Sequence, residues 1–195
     1  MTKNSKKKAK GFTLPELLIA MAIFSIFGVI FSRVMIESAV TIQMLTEKIF
    51  FIDERQQAAT AADLDMSFGG ELDEAKDKTF TVSNSEFSVV YSLNQNGTLY
   101  ELVRTIYDVE DSSKVISTMV VVDKIVPSGT AFPAFHYYNG SGTQLTTTTS
   151  GLAAGSVGEV STIQVALDRN YSRFRDATSG YDHLILSLYN PIDTE

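Results

Sequence analysis

Apolar positions fall into two regimes along this chain, with a break near residue 70. From Phe12 to Ser32 they are almost continuous. As a helix this run of about 21 residues covers roughly 30 Å, the thickness of one bilayer core. Beyond it the apolar residues thin to helical spacing at Ile42, Leu45, Ile49 and Ile52, with Thr46, Glu47, Asp53 and Glu54 between them. Ala58, Ala59, Ala61 and Ala62 favour helix. Gly69-Gly70 is the first firm stop. One helix from Phe12 to about Asp65 is predicted, apolar all round in its first half and amphipathic in its second. Its Ile42–Ile52 stripe needs a cover.

After residue 70 the period drops to two. Phe87, Val89, Tyr91 and Leu93 alternate with Glu86, Ser88, Val90 and Ser92, as in a half-buried strand. Asn96-Gly97 predicts a hairpin turn, with Thr98 to Tyr107 as the return strand. Val115 to Val126 is rich in β-branched residues, and Phe132 to Tyr138 precedes a second turn at Asn139-Gly140-Ser141-Gly142. Ile163, Val165 and Leu167 predict another strand face, and Leu184, Leu186 and Leu188 the last. Thr146 to Gly158 and Arg169 to Gly180 read as surface loops. The predicted fold is α+β: a long N-terminal helix packed on a mostly antiparallel sheet, with Ile49 and Ile52 over residues such as Val89 and Leu186.

Charge adds an orientation. Lys3, Lys6, Lys7, Lys8 and Lys10 precede the apolar run, and the positive-inside rule keeps that end in the cytoplasm. The whole chain of 195 residues has a formal charge of −7. Without the five leader lysines it keeps 11 basic against 23 acidic residues, a charge of −12. That balance repels nucleic acid. The absence of cysteine excludes disulfide staples and cysteine-zinc sites.

The chemistry concentrates where the lysines meet the apolar run, in Lys6-Lys7-Lys8-Ala9-Lys10-Gly11-Phe12-Thr13-Leu14-Pro15-Glu16. A carboxylate inside a membrane segment costs about 2.5–3.5 kcal/mol on insertion scales, which marks Glu16 as functional. Pro15 falls in the first turn of a helix that begins at Phe12, where amides have no intrahelical partner to lose. An ordinary secretory signal places its small-residue cleavage site after the apolar run. Here that position is Ser32-Arg33-Val34-Met35-Ile36-Glu37, and the glycine lies before the run.

This stretch, from Lys6 to about Arg33, resembles the class III signal of type IV pilins and of type II secretion pseudopilins. The resemblance implies cleavage after Gly11 by a prepilin peptidase, N-methylation of Phe12, and a role for Glu16 in guiding subunits into a helical filament. It divides the chain into a cytoplasmic leader (1–11), a transmembrane and filament-core helix half (12–33), an amphipathic half (34–68) and an extracytoplasmic β-rich domain (70–195). The expected partners are other pilins or pseudopilins, the peptidase, an inner-membrane assembly platform and membrane lipid. The expected location is the cell membrane, with the N-terminus cytoplasmic, and then a pilus outside it. No cofactor and no enzymatic activity are expected.

Among pilins, Leu99-Tyr100-Glu101-Leu102-Val103-Arg104 and Val120-Val121-Val122-Asp123-Lys124-Ile125-Val126 resemble J- and W-type minor pilins. So do Ala134-Phe135-His136-Tyr137-Tyr138-Asn139-Gly140 and Val160-Ser161-Thr162-Ile163-Gln164-Val165-Ala166-Leu167. The chain departs from many pilins in lacking a C-terminal disulfide and a proline near the end of the apolar run. A signal-anchored surface binding module is the rival reading, since lysines and an apolar span alone satisfy it.

Other motifs carry less. No G-x-S-x-G, Walker A or H-E-x-x-H pattern occurs. His136 and His183 stand alone, and Asp108, Glu110 and Asp111 lack calcium-loop spacing. Arg169, Tyr171, Arg173, Phe174 and Arg175 form the one basic-aromatic cluster and a candidate ligand loop, by charge and stacking. The same arginines also serve to neutralise an acidic surface, the reading that the net charge favours.

Overall fold

The computed structural model describes residues 12–68, 70–127, 134–147, 150–153, 155–170 and 181–189, with backbone alone for 168–170 and 181–189. The chain divides into two compact units, Met1–Leu45 and Thr46–Glu195.

Helix α1 runs Leu14–Ser67. Its start is set by Thr13-Leu14-Pro15-Glu16. The Thr13 carbonyl accepts the amide of Leu17 at 3.1 Å, and Glu16 Oε2 accepts the Thr13 amide and hydroxyl, each at 2.8 Å. A threonine at the cap with a glutamate three residues on is the capping-box arrangement, and it satisfies a donor the helix itself cannot. Near the other end, the Phe68 amide reaches the Leu64 carbonyl. Gly70 follows for a steric reason: a Cβ there would lie 2.4 Å from Val82 Cγ1 and 2.6 Å from the Asp65 carbonyl oxygen.

The second unit holds two antiparallel sheets. The first has strands in chain order: β1 (Glu71–Ala75), β2 (Thr79–Ser83), β3 (Phe87–Asn96), β4 (Leu99–Asp108) and β5 (Val115–Ile125). The second contains β6 (Phe135–Asn139), β7 (Gln144–Leu145), β8 (Val160–Asn170) and β9 (Tyr181–Tyr189), in the order β7-β6-β8-β9. The β3–β4 hairpin closes on Asn96 opposite Leu99, at the predicted Asn-Gly turn. Phe80 joins the sheets. It stacks on Tyr91 at 4.7 Å and meets Phe135 of the second sheet edge-on at 4.9 Å. Tyr137 adds a tie, donating its hydroxyl proton to the Lys76 carbonyl at 2.7 Å. Burial first, then the Asp77 carboxylate, pushes the Tyr137 phenol well above its ordinary range.

The α+β architecture is the predicted one, but four expectations change. Ile42, Leu45, Ile49 and Ile52 face outward, with Ile49 65% and Ile52 41% exposed. The inward face is Phe51, Ala58, Ala62, Asp65 and Met66. Ile49, Phe50, Phe51 and Ile52 are consecutive apolar residues, so periodicity there fixes no single face. The buried alanines Ala58 and Ala62 mark the inward phase instead. Val89 is buried as expected, while the side chain of Leu186 lies outside the described residues. Strands β1 and β2 were not predicted, because Glu71, Asp73 and Glu74 give β1 the composition of a loop.

The expected Thr146–Gly158 loop is only partly a surface loop. Gly151 is buried with φ +107°, its Cβ position 3.0 Å from the Ala75 carbonyl oxygen, and the Leu152 amide donates to that same oxygen at 2.9 Å. A short 3₁₀ turn follows at Val157–Glu159. The expected Arg169–Gly180 loop begins later, since β8 continues to Asn170 with Arg169 opposite Asp182.

Candidate functional site

The N-terminal segment presents its chemistry openly. Phe12 is 86% exposed, and the large apolar residues of α1 up to Ile36 are all exposed. The most apolar 18-residue window has a mean hydropathy of 2.3, and none of it is buried within the chain. In water such a surface has no stable resting place; a bilayer or neighbouring apolar helices would supply one. Ser25 and Ser32 return their hydroxyls to the Met21 and Gly28 carbonyls at 2.8 Å, which hides their polarity inside the helix. Arg33 ends the run and pairs with Glu37 at 3.2 Å. Gly11 and the leader lie outside the described residues. Glu16 is described, and its carboxylate is occupied within its own chain by Thr13.

A second polar group lies in the other unit and was not foreseen. Asp65 is buried on α1, where it accepts the Tyr91 hydroxyl at 2.5 Å, Arg104 Nε at 2.8 Å and Arg104 Nη2 at 2.5 Å. Tyr91 and Arg104 are cross-strand partners on β3 and β4, so a single carboxylate ties the helix to two strands. The hydrogen bond to Asp65 is the main cause holding the Arg104 guanidinium above its usual range. Burial first, then the bond to Asp65, pushes the Tyr91 phenol well above its own. A bidentate arginine–carboxylate pair fixes direction as well as distance. Its sequence signal is a charge on each partner where an apolar residue belongs: Asp65 three after Ala62, and Arg104 between Leu102 and Ile106. Beside this pair, Leu64, Phe68, Phe87 and Ile106 help line an open cavity of about 1020 Å³.

The remaining candidates are satisfied locally. Asp108 binds Lys114 at 2.6 Å, which is the main cause holding its carboxyl below the usual range. Asp111 accepts the Ser113 amide at 3.0 Å. Among the described residues no group of three or more potential metal ligands forms. His136 contacts Gln144 at 3.1 Å, and Asn139 Oδ1 accepts the amides of Ser141 and Thr143 in its turn. The Arg169 backbone is in β8, while its side chain and Tyr171, Arg173, Phe174 and Arg175 lie outside the described residues.

Residues 6–32 match the family model of the prokaryotic N-terminal methylation motif, the signal of type IV prepilins. No curated protein and no solved structure matches the chain.

Proposed function

We propose that this chain is a minor pilin or pseudopilin, a structural subunit that enters or primes a type IV pilus or a type II secretion-like filament. The observation that carries the reading is the methylation motif at residues 6–32, continuing into a helix whose apolar side chains up to Ile36 are exposed among the described residues. Prepilin peptidase cuts between Gly11 and Phe12, and Phe12 is then methylated. The lysine leader stays cytoplasmic until the cut, the segment 12–33 spans the membrane, and the β-rich domain faces outward. The assembly platform and other pilins are the partners. J- or W-type minor pilins are the subtype whose strand order this chain most resembles.

Cutting at Gly11 creates an ammonium at Phe12, a few residues from Glu16. In the low dielectric of a membrane or filament core both charges are costly when unpaired. Pairing Glu16 with the Phe12 amine of an adjacent subunit relieves both at one register. The capping bonds from Thr13 are the competing use of Glu16, and they suit a signal-anchored module that never assembles. Glu16→Gln separates the two. A glutamine still caps the helix, so the anchored module loses nothing. The assembling subunit keeps insertion and cleavage but loses partner pilins on co-purification. Undiminished recovery of partners would remove the docking role of Glu16.

A further inference from the structure

The two edges of the five-stranded sheet are built differently. At one edge, β1 is five residues long and carries Glu71, Asp73 and Glu74. Charges on a short edge strand prevent it from pairing with other chains. At the other edge, β5 is eleven residues long and has no charge from Val115 to Val122. Every residue from Val115 to Val120 is exposed, among them Ile116, Met119 and Val120 at 56, 48 and 49%. Among the described residues no strand pairs with the outer side of β5. Register shifts near Ile116 and Val121 bound a regular stretch, Ser117–Val120, while a third shift, between Val122 and Ile125, holds Asp123 and Lys124 and lies beyond the uncharged part of the edge.

We propose that the Val115–Val120 edge is a docking strand, filled by an extended, uncharged strand from the outer domain of the adjacent filament subunit. The backbone selects the occupant. An open edge offers a row of amide and carbonyl groups that only another extended chain meets in register, and apolar side chains on both faces then bury against it. The neighbour is a chain bearing the same N-terminal motif, because that motif brings subunits side by side; this part rests on the proposed function. The contact is also continuous with apolar surface nearby. Met119 lies opposite Arg104 and Ser117 opposite Ile106, and both partners line the open cavity beside Leu64 and Phe68. The edge therefore adds a second contact between subunits, separate from their N-terminal helices.

The test is photocrosslinking of the full chain in its native cells, with a photoreactive residue at Thr118, at Gln95 as an exposed control, and at Ile30 as a reporter of helix assembly. Thr118 is expected to give an adduct whose partner peptide is an uncharged strand of a motif-bearing chain, with none from Gln95. Met119→Lys or Ile116→Lys puts a charge into the junction and should cut the Thr118 adduct by about tenfold. The Ile30 adduct should be unchanged. An Ile30 adduct to pilins without one at Thr118 overturns the docking strand and leaves the filament reading standing. A Thr118 adduct to lipid or within its own chain, or one that survives both lysines, also overturns it. Failure of Ile30 and Thr118 together removes the filament reading, and the docking strand with it.

Discussion

Residues 14–45 and 46–67 belong to one helix, yet they meet opposite fates. The first stretch has no buried residue, although it is the more apolar. The second buries Phe51, Ala58, Ala62, Asp65 and Met66, although two of these are alanines and one is charged. Hydrophobicity alone therefore does not decide which part of a helix its own chain covers. The distal stretch offers small residues that bury fully and one carboxylate that meets Tyr91 and Arg104. The proximal stretch offers bulk on every side, which suits lipid or a ring of similar helices and no single sheet.

Removing the distal stretch breaks that contrast most severely. A chain beginning at Gly70 should melt well below one beginning at Met35, with a stability loss of about 5 kcal/mol from the lost Phe51 and Met66 burial and the orphaned Arg104. Thermal unfolding followed by circular dichroism reads this. Equal melting temperatures would mean that the helix does not pack on the sheet. Within the stretch, and in a Tyr91→Phe background that removes the other buried partner of Asp65, Asp65→Leu should cost about 3 kcal/mol by stranding Arg104, and adding Arg104→Met should restore most of it, since an apolar pair tolerates the site. Urea unfolding of the single and double variants separates a buried ion pair from a surface one.

A smaller effect comes from alkali. The Tyr91 and Tyr137 phenols ionise later in the folded than in the unfolded chain, so their contribution is complete below the unfolded pKa of 10.0 and falls as pH rises through it. Stability should drop by roughly 1 kcal/mol for each of the two tyrosines by pH 11. Tyr91→Phe should remove its share of that slope. The smallest change is expected in the proximal stretch. Leu18→Ala and Ile30→Ala should shift the unfolding of the outer unit by less than about 0.5 kcal/mol, because neither side chain is buried in this chain.

What the sequence made legible follows the same division. The helix and its approximate ends, the β3–β4 hairpin and the β5 and β8 strands were readable, because a sustained period, a run of β-branched residues or an Asn-Gly pair marks each one. The face of the helix was not readable. Four apolar residues in a row from Ile49 to Ile52 leave its phase open, and the alanines that mark it carry little hydrophobic signal. Strand β1 was hidden by its carboxylates, which guard an edge and so resemble a loop. Asp65 was hidden because its partners lie 26 and 39 residues away, and its only local signal, a charge at an apolar position, does not say which residues those are. At the N-terminus the opposite holds: Glu16 stood out in the sequence at once, and the structure added the capping bonds from Thr13 that it makes in its own chain.

Processing of the first eleven residues separates a pilin from an anchored module, so the most direct measurement is mass spectrometry of the N-terminus. The protein would be taken from cells with an active prepilin peptidase. The expected result is a chain beginning at a methylated Phe12, with Gly11→Arg leaving the leader attached and the full-length protein in the membrane. A native chain that still begins at Met1 in those cells would contradict the pilin reading.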